Sequence, residues 1–193
     1  MADTHLREIR QSRQEILQGR FLHAFRDTVT LPDGSTSHRE FIVHPGAVMV
    51  IPLLFDAEGS VRVVVERQFR YPVDRVMVEF PAGKLDPDEA MLACAQRELM
   101  EETGYRAAQW ARAGVLHPGI SYSTEFIDIY LAQGLVSGKS HLDDEEFLDV
   151  FAAPLEQLLE WVEQGEITDV KTTIATYWLD RYRRGLVSPK PLG

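Results

Sequence analysis

Two nearly continuous apolar runs of strand length, VMVIPLLF at 48–55 and VRVVVERQF at 61–69, mark the middle of the chain as sheet buried on both faces. A third run, VMVEFPA at 76–82, follows the loop Arg70-Tyr71-Pro72 and delivers the chain into a segment of different period. From Gly83 to Gly104 the apolar positions Leu92, Ala95 and Leu99 recur at helical spacing. Asp86-Pro87-Asp88 supplies start signals and Gly104 a stop, so the pattern predicts about four turns of helix. Downstream, WARAGVL at 110–116 and FIDIYLA at 126–132 read as strands. PLEQLLEWVEQG reads as a helix opened by proline and closed by Gly165. In the final helical pattern, DVKTTIATYWLDRYRRG, the residues Ile174, Tyr177, Trp178 and Tyr182 are expected as core contacts. Upstream, two β-rich runs within 14–43 flank LPDGS, a hairpin signal, and His44-Pro45-Gly46 breaks the chain before the main strands. The expected architecture is α/β: a mixed sheet between helices in residues 46–193, preceded by a β-rich arm in residues 1–45.

The helix over 83–104 is unusual in its polar face. Glu98, Glu101 and Glu102 stand at i, i+3 and i+4, so three carboxylates project from one stripe beside the apolar one. Such a stripe repels itself unless water dilutes it, neighbouring cations pair with it, or a divalent metal neutralises it. An all-oxygen cluster suits hard ions, Mg²⁺ or Mn²⁺, which bind through a few carboxylates and complete their shell with waters and substrate phosphate oxygens. The pattern therefore points toward a phosphorylated substrate.

Composition narrows the class. With 193 residues and 45% hydrophobic content the chain can bury one sizeable core. No apolar run approaches membrane-spanning length, and the charged N-terminus lacks the apolar centre of a signal peptide, so a cytoplasmic protein is expected. The net charge of −10, without a basic cluster able to track a phosphate backbone, disfavours nucleic acid as a partner. The single cysteine, Cys94, reads as a small buried thiol.

The stretch GKLDPDEAMLACAQRELMEETGY at 83–105 resembles the Nudix hydrolase box at each defined position except the last, usually aliphatic, where Tyr105 stands. The resemblance implies an α/β/α sandwich and a metal-dependent attack of water on a nucleoside diphosphate. It implies that Glu98, Glu101 and Glu102, with the backbone carbonyl of Ala82, hold two or more Mg²⁺ or Mn²⁺ ions, and that Glu89 and Arg97 orient them. A general base is still required. ADP-ribose pyrophosphatases of this family carry a glutamate in the equivalent late loop, which directs attention to Asp143-Asp144-Glu145-Glu146, with Glu146 favoured over Glu145.

Outside the box, REFIVHPGAV, VERQFRYPVDRVMVEFPAGKLD and PGISYSTEFIDIYLA resemble the ADP-ribose pyrophosphatase and nucleoside-diphosphate-sugar branch. That resemblance implies substrate contacts at Arg70, Glu79 and Glu125. It further implies a homodimer in which the arm is exchanged and an aromatic from its Phe21, Phe25 and Phe41 stacks on the base, with Trp110, Trp161 and Trp178 structural. The branch often places a proline slightly further beyond the box glycine than Pro118-Gly119 stands here, which bears on ADP-ribose itself more than on the linkage. The expected reaction cleaves ADP-ribose or a related nucleotide sugar to a nucleoside monophosphate and a sugar phosphate. The alternatives are a GDP-mannose or other nucleotide-sugar pyrophosphatase and a non-catalytic nucleotide sensor.

Overall fold

The computed structural model describes residues 3–55, 60–140, 142 and 147–192. They fall into two compact units: residues 1–46 with 117–125, and residues 47–116 with 126–193. The first unit thus includes 117–125 in addition to the arm expected from sequence.

The first unit is an antiparallel three-stranded sheet in the order β1 (Ile9–Gln18), β2 (His23–Thr30), β3 (Thr36–Val43). The expected hairpin joins β2 to β3. Gly34 takes the left-handed conformation at φ 86°, and Asp33 accepts hydrogen bonds from the Ser35 amide at 2.9 Å and its hydroxyl at 2.6 Å. Strand β1 was not foreseen, because IRQSRQEILQ carries too many charges to alternate clearly; it is exposed along all ten residues. A cross-strand pair holds it: Arg13 grips the buried Asp27 through Nε and Nη2, each at 2.8 Å. The same guanidinium lies 5.0 Å from the Phe25 ring centroid and 5.1 Å from that of Phe41.

The second unit is built on an eight-stranded mixed sheet. Its main path runs β10 (Leu148–Pro154), β5 (Val61–Arg70), β4 (Ala47–Phe55), β9 (Ile127–Ser137), β8 (Tyr105–Leu116), β11 (Lys190–Leu192). The β4–β9 pair is parallel and the other pairs along the path are antiparallel. Strand β4 is buried on both faces, as its continuous apolar run predicts, and its residues alternate between two cores. Val48 and Val50 pack with Cys94, Ala95 and Leu99 of α1 (Met91–Thr103). Met49, Ile51 and Leu53 face the opposite layer, with Leu155 and Leu158 of α2 (Leu155–Glu163) and Ala175 and Leu179 of α3 (Val170–Arg183). Each buried Val, Leu, Ile or Met among them contributes about 1.5–3 kcal/mol. Helices therefore cover both faces, and the unit is an α/β/α sandwich. No helix among the described residues is long and apolar enough to cross a membrane.

Four expectations need correction. The run at 76–82 is two strands, β6 (Arg75–Glu79) paired with β5 and β7 (Ala82–Lys84) paired with β4, because Pro81 has no N–H to donate to a ladder; its carbonyl instead accepts from Val50 N at 2.9 Å. Helix α1 begins at Met91 and not near Pro87. Asp88 is left-handed at φ 62° and the Glu89 carboxylate accepts from Asp86 N at 3.1 Å, which makes 86–89 a turn. The run FLDVFAAP, assigned no element from sequence, supplies the edge strand β10 against β5. In α3, Ile174 and Tyr177 are 43% and 45% exposed. The buried face is the opposite one, where Thr172, Ala175, Thr176 and Leu179 let the helix approach closely, while Trp178 and Tyr182 stack at 5.7 Å along its border.

Gly104 ends α1 at φ 73°, donating to Met100 O at 2.9 Å and accepting from Gly138 N at 2.7 Å. A Cβ there would lie 2.9 Å from Ser140 N and 3.0 Å from Gly138 O. Gly104→Ala is expected to destabilise the fold by about 1–3 kcal/mol, from left-handed strain with the contact adding to it. A chemical-denaturation midpoint equal to that of the parent would contradict this account of the helix end.

Candidate active site

The C-terminal half of α1 brings its acidic stripe against β7. Glu98 and Glu102 are buried and Glu101 is half-exposed at the edge. Glu102 Oε2 accepts from Ala82 N at 3.1 Å, so the box carboxylate and the strand residue expected to share a metal are neighbours. Glu98 lies over the Gly83 backbone. A Cβ on Gly83 would stand 1.8 Å from Glu98 Oε1 and 1.9 Å from its carboxyl carbon. Gly83 is a strand residue whose missing side chain makes room for a carboxylate.

Arg97 organises the cluster. Its Nε and Nη2 grip Glu89 at 2.9 and 2.8 Å, Nη1 bonds Glu98 at 2.8 Å and Glu101 at 3.0 Å, and Nη2 also reaches Lys84 O at 3.1 Å. The Arg97 hydrogen bonds hold the Glu89 carboxyl down at about 2 against the opposing effect of burial, with the Asp86 amide helping. Sharing its bonds among three carboxylates raises the guanidinium in turn. Glu89 and Arg97 are thus paired, and Arg97 also bonds two of the three box glutamates. Cys94 is buried beside it, its thiol pushed up to about 12 chiefly by burial, and donates to Lys84 O at 3.4 Å.

As they stand, no three acidic side chains among the described residues converge closely enough to hold an ion. Glu98 and Glu101 are turned to Arg97 and Glu102 to the Ala82 amide. The donor set nonetheless fits a hard divalent cation. It is all oxygen, two of its carboxylates are buried, and one guanidinium is divided among three acids.

A second charged cluster lies where β5, β6 and α3 meet. Glu79 is buried and takes a bidentate pair from Arg70, Nε to Oε1 at 2.6 Å and Nη2 to Oε2 at 2.8 Å. Lys171 Nζ also donates to Glu79 Oε2 and, at 3.0 Å, to Asp169 Oδ2. Burial pushes the Glu79 carboxyl up, but the bonds from Arg70 and the charge of Lys171 more than offset it, so it lies below its ordinary value. Arg70 is raised, first by its bond to Glu79 and further by the fields of Glu66 and Glu102, which ties it electrostatically to the box.

The second unit thus gathers Arg70, Glu79, Ala82, Glu89, Arg97, Glu98, Glu101 and Glu102. Glu125 belongs to the first unit, where its carboxylate lies 3.9 Å from His44 Nε2. Of the arm aromatics, Phe25 and Phe41 are engaged by Arg13, and Phe21 meets His44 edge-on at 5.6 Å. Trp161 and Trp178 pack on the α2/α3 core and Trp110 on the α1 core. Glu145 and Glu146, the expected bases, lie outside the described residues. Sequence reasoning missed Lys171 and Thr172. The available signal was Asp169 three residues before Thr172, a helix cap, but nothing in a lone lysine announces burial.

Comparison with known proteins shows the family. Residues 43–176 match the model of the NUDIX domain. The chain is 36% identical over 170 residues to a protein of Bacillus subtilis (strain 168) named ADP-ribose pyrophosphatase, covering 87% of this chain and 90% of that one. It is 38% identical over 170 residues to the methanol dehydrogenase activator of Bacillus methanolicus, covering 86% and 89%. A solved structure of an ADP compounds hydrolase superposes with a TM-score of 0.82 at 21% identity, across 94% of this chain and 97% of that one, and shows the same fold. With the domain matched over most of its length and the box helix folded against β7, the chain belongs to the Nudix family.

Proposed function

We propose that this protein is a divalent-metal-dependent pyrophosphohydrolase that adds water across the diphosphate of ADP-ribose, or a closely related nucleoside diphosphate sugar, to give a nucleoside monophosphate and a sugar phosphate. The observation that carries the reading is the packing of Glu98 and Glu102 against the Ala82–Gly83 backbone, with Arg97 bracing Glu89, Glu98 and Glu101. Glu98, Glu101, Glu102 and the Ala82 carbonyl would hold Mg²⁺ or Mn²⁺. Bound there, the metal would supply charge stabilisation for the phosphoryl oxygens and lower the pKa of the attacking water. The chain's own residues do the rest. Arg97 and Glu89 fix the rotamers of the box, and Gly83 leaves room for Glu98. Arg70 spends Nε and Nη2 on Glu79, so its Nη1 edge is the one to meet a substrate phosphate. Glu79, buried and held by two cations, serves as counter-ion to Arg70. Glu146, or failing that Glu145, takes the proton of the attacking water. A complete set of box carboxylates favours catalysis over nucleotide sensing.

Residues 1–45 complete the proposal as a self-association element. Strand β1 offers Ile9, Ile16 and Leu17 on an exposed edge strand, with Phe21 exposed just beyond it. Light scattering is expected to give a dimer, and a monomer at micromolar concentration would remove this part of the reading.

The decisive assay is product release from a panel of nucleoside diphosphate sugars with Mg²⁺ or Mn²⁺ in ¹⁸O-labelled water. ADP-ribose is expected to be cleaved fastest, with the label on one phosphate product only. Tight binding of a panel compound without turnover would overturn the enzyme reading. Glu102→Gln keeps the volume and the acceptor for Ala82 N, so melting should be unchanged while kcat/KM falls by at least about 100-fold; parental rates would remove Glu102 from the site. Glu146→Gln should lower kcat by about 10²- to 10⁴-fold with KM nearly constant. Undiminished kcat would transfer the role to Glu145.

A further inference from the structure

Lys171 is the one lysine among the described residues that is buried, at 9% exposure, and it sits in the first turn of α3, far in sequence from the box. Burying an ammonium is costly unless its partners are well placed. Its partners are Glu79 and Asp169. The adjacent residue makes a parallel connection: Thr172 Oγ1 accepts from Phe80 N at 3.3 Å and donates to Asp169 Oδ2 at 2.6 Å. Two successive residues of α3 therefore hold two successive residues at the end of β6, and Asp169 both caps the helix and locks the two together.

That junction stands directly upstream of the site. After Phe80 the chain passes Pro81 to Ala82, whose amide meets Glu102. On the other side Glu79 carries Arg70, whose side chain is 41% exposed while that of Glu79 is 3% exposed. Glu79 also lies opposite Glu66 in the β5–β6 ladder, so two buried acids are neighbours. Lys171 grips the same carboxylate from inside.

We propose that Lys171 is a positioning residue: by pinning the buried end of Glu79 it holds the Arg70 guanidinium in the orientation that meets the substrate diphosphate. Lys171 touches neither substrate nor metal ligand and acts only through Glu79. Its effect on turnover rests on the pyrophosphohydrolase reading; its effect on Arg70 does not.

The test is a double-mutant cycle. Lys171→Met should raise KM for ADP-ribose about 10-fold, with a smaller effect on kcat and little on the Mn²⁺ concentration giving half-activity, and Lys171→Arg should restore KM. In a Glu79→Gln background, which also removes the unpaired buried charge that could unfold the single variant, Lys171→Met should raise KM no further. An unchanged KM in Lys171→Met, or the same increase in both backgrounds, would overturn the proposal. Solvent exchange of the Arg70 Nε–H in ¹⁵N-arginine-labelled protein should be several-fold faster in Lys171→Met. If the parent protein cleaves no compound of the panel, the function reading falls, and an exchange rate identical in parent and variant would then sink the role of Lys171 by itself.

Discussion

One guanidinium divided among three acids is the constraint on which the site depends. Arg97 could satisfy one carboxylate fully, and does so with Glu89, yet the same planar fork reaches Glu98 and Glu101. This keeps like-charged side chains at fixed distances that they would not keep alone, and it leaves them under-neutralised. A cluster so arranged is rigid in its framework and open to a further cation, which is the combination a metal-dependent phosphoryl site needs. The bidentate half of the fork is also insensitive to pH around neutrality. With the Glu89 value depressed to about 2, the pair is complete above the ordinary carboxylate range and is lost only as pH falls toward that value.

The fold serves this cluster by bringing the α1 stripe to the β7 backbone, and it ties the first turn of α3 to the end of β6, just upstream. The α1 stripe, the β7 backbone and the first turn of α3 come from residues near 100, 83 and 171, and the sheet between them supplies the fixed reference. Arg70 and Glu79 extend the same charge arrangement outward, so the site is a graded sequence of paired ions, from Lys171 inside to the Arg70 edge outside. Arg70, Glu79 and Lys171 each stand at the end of a strand or helix.

Much of this was legible in the sequence because its signals are local. The apolar runs of β4 and β5, the LPDGS hairpin, the glycine stops at 104 and 165 and the spacing of Glu98, Glu101 and Glu102 each depend on neighbours within a few residues. What could not be read depends on tertiary context. Strand β1 has no apolar alternation, so only its partner β2 reveals it. The exposed side of α3 was misassigned because bulky Ile174 and Tyr177 outweighed Thr172, Ala175 and Thr176, although small residues let the helix pack closely. Lys171 was invisible since a lysine looks the same whether solvated or buried, and the room that Gly83 leaves for Glu98 shows only in three dimensions.

The alternation of β4 between two cores also acts as a ruler. On the α1 side the sheet presents Val48, Val50, Tyr130 and Ala132, and the helix answers with Cys94, Ala95 and Leu99. On the other side Met49, Ile51, Leu53, Leu155, Leu158 and Leu179 make a larger cluster. The box helix is thereby held where Glu98 meets the backbone of Gly83. The placement of its carboxylates is thus written into apolar residues outside the charged cluster, and enlarging any of them would lift the carboxylates away from β7.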